Sequence, residues 1–216
     1  MKIFWDNIEL DKVKAVLLDL DNTIYKYQVC HDYALGCCYR ELRRINKNFD
    51  QTEFKSSYTQ AQESVKKYLP NQGSGHSRLL YFQVFFEKIY GRTEIRMTER
   101  FEDIYWKNFL KKMILVSGMM VFLKKCRKLN IKICIVSDLT TKIQFKKICF
   151  LKLDKYIDYV VTSEEAGAEK PFPNIFQLAL DKLKLGKGEV IMIGDHHKKD
   201  IQGAKSFGIK KVYQVS

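Results

Sequence analysis

The stretch Val13-Lys-Ala-Val-Leu-Leu-Asp-Leu-Asp-Asn-Thr23 decides the fold of this chain. Its first half is a nearly continuous apolar run, which predicts a β-strand buried on both faces. Two carboxylates, Asp19 and Asp21, follow where that strand should end. Carboxylates beside a buried strand are costly unless they are paired, hydrogen-bonded or bound to a metal. Because ligands bind at the carboxyl ends of parallel strands, this stretch predicts a Mg²⁺–carboxylate centre.

The segment 25–112 has helical rather than strand periodicity. Apolar residues recur at intervals of three and four in four separate stripes, each of which predicts one face of an amphipathic helix. The stripes are Leu35, Cys38, Leu42 and Ile45; Phe54, Tyr58, Ala61, Val65 and Tyr68; Leu79, Phe82, Phe86 and Ile89; and Phe101, Tyr105 and Phe109. Breaks at residues 46–50, 70–77 and 91–93 separate them, so we predict a small four-helix domain inserted after the first strand.

The loop 71–78, between the second and third predicted helices, is rich in glycine and polar residues. Ser77 is placed to cap the helix that follows it. Two side chains of this segment, His76 and Arg78, suit contact with an anionic substrate. They are equally suited to be ordinary solvent-exposed loop residues, and the sequence leaves both interpretations open.

Strands and helices alternate again from about residue 115 onward. The predicted strands are Ile131–Val136, Tyr159–Val161, Glu189–Ile193 and Lys211–Val215. The predicted helices are Met119–Leu129, Thr140–Leu151, Pro173–Lys184 and Ile201–Phe207. This order predicts right-handed crossovers and a doubly wound parallel sheet of the α/β class. The expected domains are an α/β core, 1–24 with 113–216, and the helical insert, 25–112.

Further polar residues follow the later strands and suit phosphoryl transfer through an aspartyl-phosphate. Asp19 would attack phosphorus and share Mg²⁺ with Asp195. Asp21 would protonate the leaving oxygen and later activate water. The hydroxyl of Ser137 and the ammonium of Lys170 would hold the phosphoryl oxygens as charge develops on them.

The same residues form four ordered motifs. They are Asp-Leu-Asp-Asn-Thr at 19–23, Val-Ser-Asp at 136–138, Glu-Lys-Pro at 169–171 and Gly-Asp-x-x-x-x-Asp at 194–200. Together they resemble the motifs of the haloacid dehalogenase (HAD) superfamily, whose core is Rossmann-like. The helical insert resembles the C1 cap of its subfamily I phosphatases.

The resemblance implies a role for each matching residue. Asp19 would be the nucleophile and a Mg²⁺ ligand, and Asp21 the general acid/base with its backbone carbonyl on the metal. Asp195 would ligate Mg²⁺ directly, and Asp200 would be a ligand or would act through water. A second aspartate at position 21 implies a phosphatase or phosphomutase rather than a dehalogenase. Thr23 would support the loop.

Net charge is +13, and most of it lies in one window. Residues 107–155 hold thirteen Lys or Arg against Asp138 and Asp154, which leaves +11 there. Such a patch suits an acidic partner or an anionic membrane surface, or it is simply a solvated lysine-rich face. No nucleic-acid motif accompanies it, and no apolar run is long enough to predict a transmembrane segment.

The cellular compartment follows from the cysteines and the N-terminus. The six cysteines form no CxxC pair, and residues 1–12 lack the apolar region of a secretory signal. Both observations favour a reducing, cytoplasmic location, with non-classical delivery to another cell left open.

The predicted activity is that of a Mg²⁺-dependent phosphomonoesterase. A small sugar or nucleotide phosphate is the expected substrate. A phosphoprotein substrate, including phosphotyrosine, is the alternative that the basic window would favour. A phosphomutase, and a non-enzymatic module that binds through its basic window, are further alternatives.

Overall fold

The computed structural model describes residues 5–47 and 49–215. The first four residues of the segment predicted to lack a secretory signal therefore lie outside the described residues. Two compact units are distinguished within the chain. One comprises the chain up to Lys26 and from Ile114 onward, and the other is Tyr27–Met113. The predicted boundaries, after residues 24 and 112, lie within two residues of these bounds.

The unit Tyr27–Met113 is helical. Its helices are α1 (Tyr27–Ile45), α2 (Gln51–Tyr68), α3 (Arg78–Tyr90) and α4 (Ile95–Lys111). Asp50 caps α2 by accepting hydrogen bonds from the Thr52 and Glu53 amides, and Ser77 caps α3 as predicted. Gly91 ends α3 with φ of 68°, a left-handed conformation that favours glycine. No helix in the described part of the chain combines the length and apolarity needed to cross a membrane.

Three predicted helix faces in this unit were wrong in detail. Ile45 and Tyr68, which end the first and second stripes, are 48% and 80% exposed. Leu79 is 40% exposed, whereas Tyr81 and Phe85 are fully buried beside Phe82 and Phe86. Helix α3 carries more aromatic residues than one stripe holds, so periodicity alone did not identify the buried face. Edge-to-face pairs such as Phe54 with Phe85 fill the interior of this unit.

The other unit is built on a five-stranded parallel sheet, which confirms the predicted fold class. Its strands are β1 (Ala15–Leu18), β2 (Lys132–Ser137), β3 (Tyr159–Thr162), β4 (Val190–Gly194) and β5 (Lys211–Gln214). The strand order is β3-β2-β1-β4-β5, and every pair is parallel. All four residues of β1 are fully buried, as its continuous apolar run predicted.

Helices of this unit cover the sheet. They are α5 (Met119–Lys128), α6 (Thr141–Phe150), α7 (Ser163–Ala166), α8 (Pro173–Leu183) and α9 (Gly203–Phe207). The predicted helix Ile201–Phe207 instead begins with a π-helical turn, His197–Gln202, and α9 continues from it. The short α7 was not predicted, because its four residues are too few to show periodicity.

The strand order fixes where a ligand site should lie. The chain runs from β1 outward to β2 and β3, and then returns to place β4 on the other side of β1. Leu18, the last residue of β1, is in register with Ile193, and β4 ends one residue later at Gly194. This reversal of strand order opens a crevice at the carboxyl ends of the two strands. Asp19 and Asp195 follow those ends directly.

Candidate active site

Asp19 is held in one orientation by two buried donors. Its Oδ2 accepts a hydrogen bond from the Thr23 hydroxyl at 2.7 Å, and its Oδ1 lies 2.6 Å from Lys170 Nζ. The Asp19 amide continues the β1–β4 ladder by donating to the Ile193 carbonyl. Thr23 therefore supports the loop, as the resemblance implied, and does so through the Asp19 side chain itself.

Three carboxylates meet at this crevice. Asp19, Asp195 and Asp200 each offer an oxygen, and these oxygens lie within 4.8 Å of one another. Lys170 Nζ lies between two of the side chains, 2.6 Å from Asp19 and 2.7 Å from Asp200. The sheet thus brings together residues from separate parts of the chain.

The electrostatics of this cluster fit a divalent cation. Burial, opposed by Lys170 and reinforced by the Asp200 carboxylate, raises the pKa of Asp19 to about 8. Burial and Asp200 also raise the pKa of Asp195. Three carboxylates against one ammonium leave an excess of negative charge in a buried site. An oxygen-only donor set with excess negative charge suits Mg²⁺.

One oxygen of Asp200 has acceptor capacity left for such a cation. Asp200 Oδ1 is buried and lies 2.7 Å from Lys170 Nζ, but it accepts no hydrogen bond of good geometry from a described residue. A buried carboxylate oxygen normally has its hydrogen bonds satisfied, and a bound metal is one way in which it is satisfied. This oxygen is therefore a suitable ligand atom.

The side chain of Asp200 packs directly over Gly194. Its Oδ2 accepts a hydrogen bond from the His196 amide at 2.9 Å, which closes the loop after β4. A Cβ at position 194 would lie 2.4 Å from Asp200 Cγ and Oδ2. Glycine is therefore required at the end of β4 because the carboxylate occupies the space that any side chain would fill.

We expect Gly194→Ala to displace Asp200 and to weaken the carboxylate cluster. Overpacking a buried position typically costs about 1–3 kcal/mol of unfolding free energy. Urea denaturation measures that cost, and calorimetric titration with Mg²⁺ measures the accompanying loss of metal affinity. Gly188→Ala is the matched control, because a Cβ there meets no atom within 4 Å. Equal effects of the two substitutions would contradict this account of the glycine.

Asp21 lies outside this cluster and has its own partners. Lys147 Nζ contacts both of its oxygens, at 2.7 and 2.9 Å, and the Tyr25 hydroxyl donates to Oδ1. Burial by itself raises the pKa of Asp21. The Lys147 ammonium and the hydrogen bonds to the carboxylate outweigh burial, so the pKa of Asp21 is lowered. The two aspartates of the first motif thus occupy opposite electrostatic environments.

Ser137 is connected to Asp21 through one glutamine. Gln144 Nε2 donates to the Ser137 hydroxyl at 2.6 Å and reaches Asp21 Oδ2 at 3.4 Å. Ser137 is 1% exposed, and it ends β2 at the same edge of the sheet. Its position suits the predicted role in phosphate binding, which stays a prediction.

A second lysine, Lys199, holds the loop that carries Lys170. Its ammonium bridges Asp138 at 2.8 Å and Glu169 at 2.9 Å. Asp138 also accepts a hydrogen bond from the Lys170 amide at 2.9 Å. Asp138 and Lys199 therefore fix the backbone from which Lys170 reaches Asp19.

The two residues predicted from the loop 71–78 lie in the helical unit. Arg78 is the first residue of α3 and is 4% exposed, so its interpretation as an exposed loop residue was wrong. It donates to the His76 carbonyl and to the Tyr27 hydroxyl. Its guanidinium also lies 5.3–5.8 Å from the ring centres of Tyr27, Tyr81, Tyr105 and Trp106. A substrate contact by His76 or Arg78 stays a prediction.

Sequence reasoning missed Lys147 and Gln144 at this site. Lys147 was counted within the basic window 107–155, but it is fully buried and paired with Asp21. The signal was present in α6, where Gln144 and Lys147 share the buried face with Ile143 and Ile148. Two polar residues on an apolar helix face indicate buried partners.

Comparisons with known proteins identify the family of this chain. The family model described as haloacid dehalogenase-like hydrolase matches residues 16–213. A ribulose-1,5-bisphosphate 5-phosphatase from Halopiger xanaduensis is 34% identical to this chain. The match covers 92% of this chain and 83% of the length of that phosphatase. A glyceraldehyde 3-phosphate phosphatase from Pyrococcus abyssi is 25% identical over 93% of this chain and 81% of its own.

Solved structures include a HAD phosphatase from Thermococcus onnurineus with a TM-score of 0.71. It is 25% identical and covers 93% of this chain and 86% of its own. The chain therefore belongs to the haloacid dehalogenase-like hydrolase family. Within that family it is a phosphomonoesterase, which sets aside the alternative of a non-enzymatic module.

Proposed function

We propose that this enzyme hydrolyses phosphates of small sugars, with Mg²⁺, through an aspartyl-phosphate on Asp19. The observation that carries the proposal is the meeting of Asp19, Asp195, Asp200 and Lys170 at the switch point of the sheet. The two relatives named above, whose names both denote phosphates of small sugars, support the choice of substrate.

In the first half-reaction Asp19 attacks phosphorus, and the bond to the leaving oxygen breaks. Thr23 and Lys170 orient the Asp19 carboxylate, so the attacking group is held in place before substrate arrives. The ammonium of Lys170 and the hydroxyl of Ser137 would bind the phosphoryl oxygens. Asp21 would supply a proton to the leaving oxygen.

In the second half-reaction water attacks phosphorus, and the bond to Asp19 breaks. The electron pair of that bond returns to the Asp19 carboxylate, and the proton of the water moves to Asp21. The lowered pKa of Asp21 favours the ionised carboxylate that this step needs, and it makes the protonated carboxyl group a stronger acid for the first half-reaction.

The proposed metal site consists of Asp19, Asp195 and Asp200, with the Asp21 carbonyl as a further ligand that the resemblance implies. Bound Mg²⁺ would reduce repulsion between the carboxylate and the phosphate. The raised pKa values of Asp19 and Asp195 indicate that uncompensated negative charge is costly at this site, and the cation would compensate it.

The helical unit Tyr27–Met113 would act as the substrate-selecting cap. The resemblance to C1-capped phosphatases supports this role, and His76 and Arg78 are its proposed contacts with an anionic substrate. We propose no binding partner for the other lysines of the window 107–155. Nothing in the contacts of the described residues points to an acidic protein or to a membrane surface.

Phosphate release from a panel of substrates tests the proposal. We expect the highest kcat/KM for small sugar phosphates such as glyceraldehyde 3-phosphate or ribulose 1,5-bisphosphate. Addition of excess EDTA should abolish turnover, and Mg²⁺ should restore it. A nucleotide and a phosphotyrosine peptide complete the panel. A preference for the peptide would overturn the proposed substrate class in favour of the phosphoprotein alternative.

A further inference from the structure

Lys147 is a charged residue in an unusual place. It lies on α6, and its side chain is fully buried, with both Asp21 oxygens within 2.9 Å of its ammonium. Burying an ammonium is unfavourable unless a partner of good geometry compensates for the lost hydration. The contact to both oxygens of one carboxylate provides that compensation and also defines how the carboxylate is turned.

Two further donors complete the surroundings of the Asp21 carboxylate. The Tyr25 hydroxyl approaches Oδ1, and Gln144 Nε2 approaches Oδ2 from 3.4 Å. Gln144 and Lys147 are three residues apart on one face of α6, so a single helix presents both. The two hydrogens of Gln144 Nε2 have nearer acceptors, the Ser137 hydroxyl at 2.6 Å and the Asp138 carbonyl at 2.9 Å. Oδ2 of Asp21 therefore keeps acceptor capacity for a water molecule.

We propose that Lys147 is a positioning residue that holds Asp21 in the orientation needed to activate water in the second half-reaction. This inference rests on the proposed function, because it needs an aspartyl-phosphate to hydrolyse. The step is unchanged in its chemistry: the water oxygen bonds to phosphorus, the Asp19–phosphorus bond breaks, and Asp21 accepts the proton. Lys147 acts on the direction in which Asp21 points, and it does not touch the reacting atoms.

Lys147→Met tests the proposal with p-nitrophenyl phosphate as substrate. Methionine keeps most of the side-chain length but removes the ammonium. Since p-nitrophenolate leaves without a proton, the first half-reaction should be almost unaffected and the second should be slowed. We expect kcat to fall by about 10–100-fold, a part of the usual contribution of general base catalysis. The value of kcat/KM should stay within about threefold, because it reports only the first half-reaction.

A burst of p-nitrophenol equal to the enzyme concentration should accompany the lower kcat, as the aspartyl-phosphate accumulates. Lys146→Met is the matched control, since Lys146 is the exposed neighbour on the same helix. It should show wild-type kcat and no added burst. A merely structural role of Lys147 would lower kcat and kcat/KM together without a burst, and that result would overturn the proposal.

A double-mutant cycle separates action through Asp21 from direct action. In the Asp21→Asn background, Lys147→Met should change kcat by less than about twofold, because the residue it positions is gone. If Lys147→Met does not fold, Lys147→Gln takes its place and must show the same burst. No turnover by the wild-type enzyme would instead refute the proposed function. Wild-type turnover with no burst in the folded variant refutes only the role of Lys147.

Discussion

Asp19→Asn should reduce kcat for every phosphomonoester by at least about a thousandfold, as loss of a nucleophile does in other covalent mechanisms. The amide is nearly the same size. Its single oxygen can keep the hydrogen bond from Lys170, and its NH2 group can donate to the Thr23 hydroxyl in place of the bond that Asp19 accepts from it. The fold should therefore survive, and the loss should be one of chemistry. Steady-state phosphate release with Mg²⁺ present measures the effect.

The same substitution should also change the stability of the metal-free protein. Asp19 carries a carboxylate whose pKa is raised to about 8 by burial and by Asp200, although Lys170 opposes the rise. A neutral amide there removes one of three neighbouring carboxylates, so the variant should depend less on Mg²⁺ for its thermal stability. Wild-type activity in the Asp19→Asn variant, once its mass is verified, would refute Asp19 as the nucleophile.

Much of the site could be predicted from sequence because a parallel sheet gathers strand ends. Asp19 and Asp195 each follow the last residue of a buried strand, and β1 and β4 are neighbours in register. Once the chain alternates between strands and helices, residues at those ends must lie at one edge. The sequence does not give the distances, and the contact of Lys170 with both Asp19 and Asp200 emerged only from the structure.

Lys147 and Gln144 could not be placed in the same way. They lie within a helix, so their positions depend on how α6 is rotated over the sheet rather than on where a strand ends. The net charge of the window 107–155 also drew attention to lysines as a group, which hid the one that is buried. The buried face of α3 was also misassigned, because its aromatic residues fit more than one apolar stripe along the helix.

Lys170→Met should have the second large effect, on activity and on stability together. The ammonium contacts Asp19 and Asp200, and also donates to the Val136 carbonyl at 3.0 Å. Removing it takes away the proposed phosphoryl contact, and loss of such a preorganised charge should lower kcat/KM by at least about a hundredfold. Lys205→Met, at an exposed position on α9, is the control and should leave kcat/KM unchanged.

The stability of the Lys170→Met variant separates the role of Lys170 in phosphoryl binding from its role in neutralising the carboxylates. Removing one partner of a buried ion pair typically costs about 3–5 kcal/mol, because the other charge is left uncompensated. Here three carboxylates would face one another without the ammonium, so the cost should be largest in EDTA and should shrink when Mg²⁺ is added. Urea denaturation with and without Mg²⁺ measures this difference. A loss of stability that Mg²⁺ does not reduce would mean that the carboxylates of Asp19, Asp195 and Asp200 do not share a metal, whatever happens to activity.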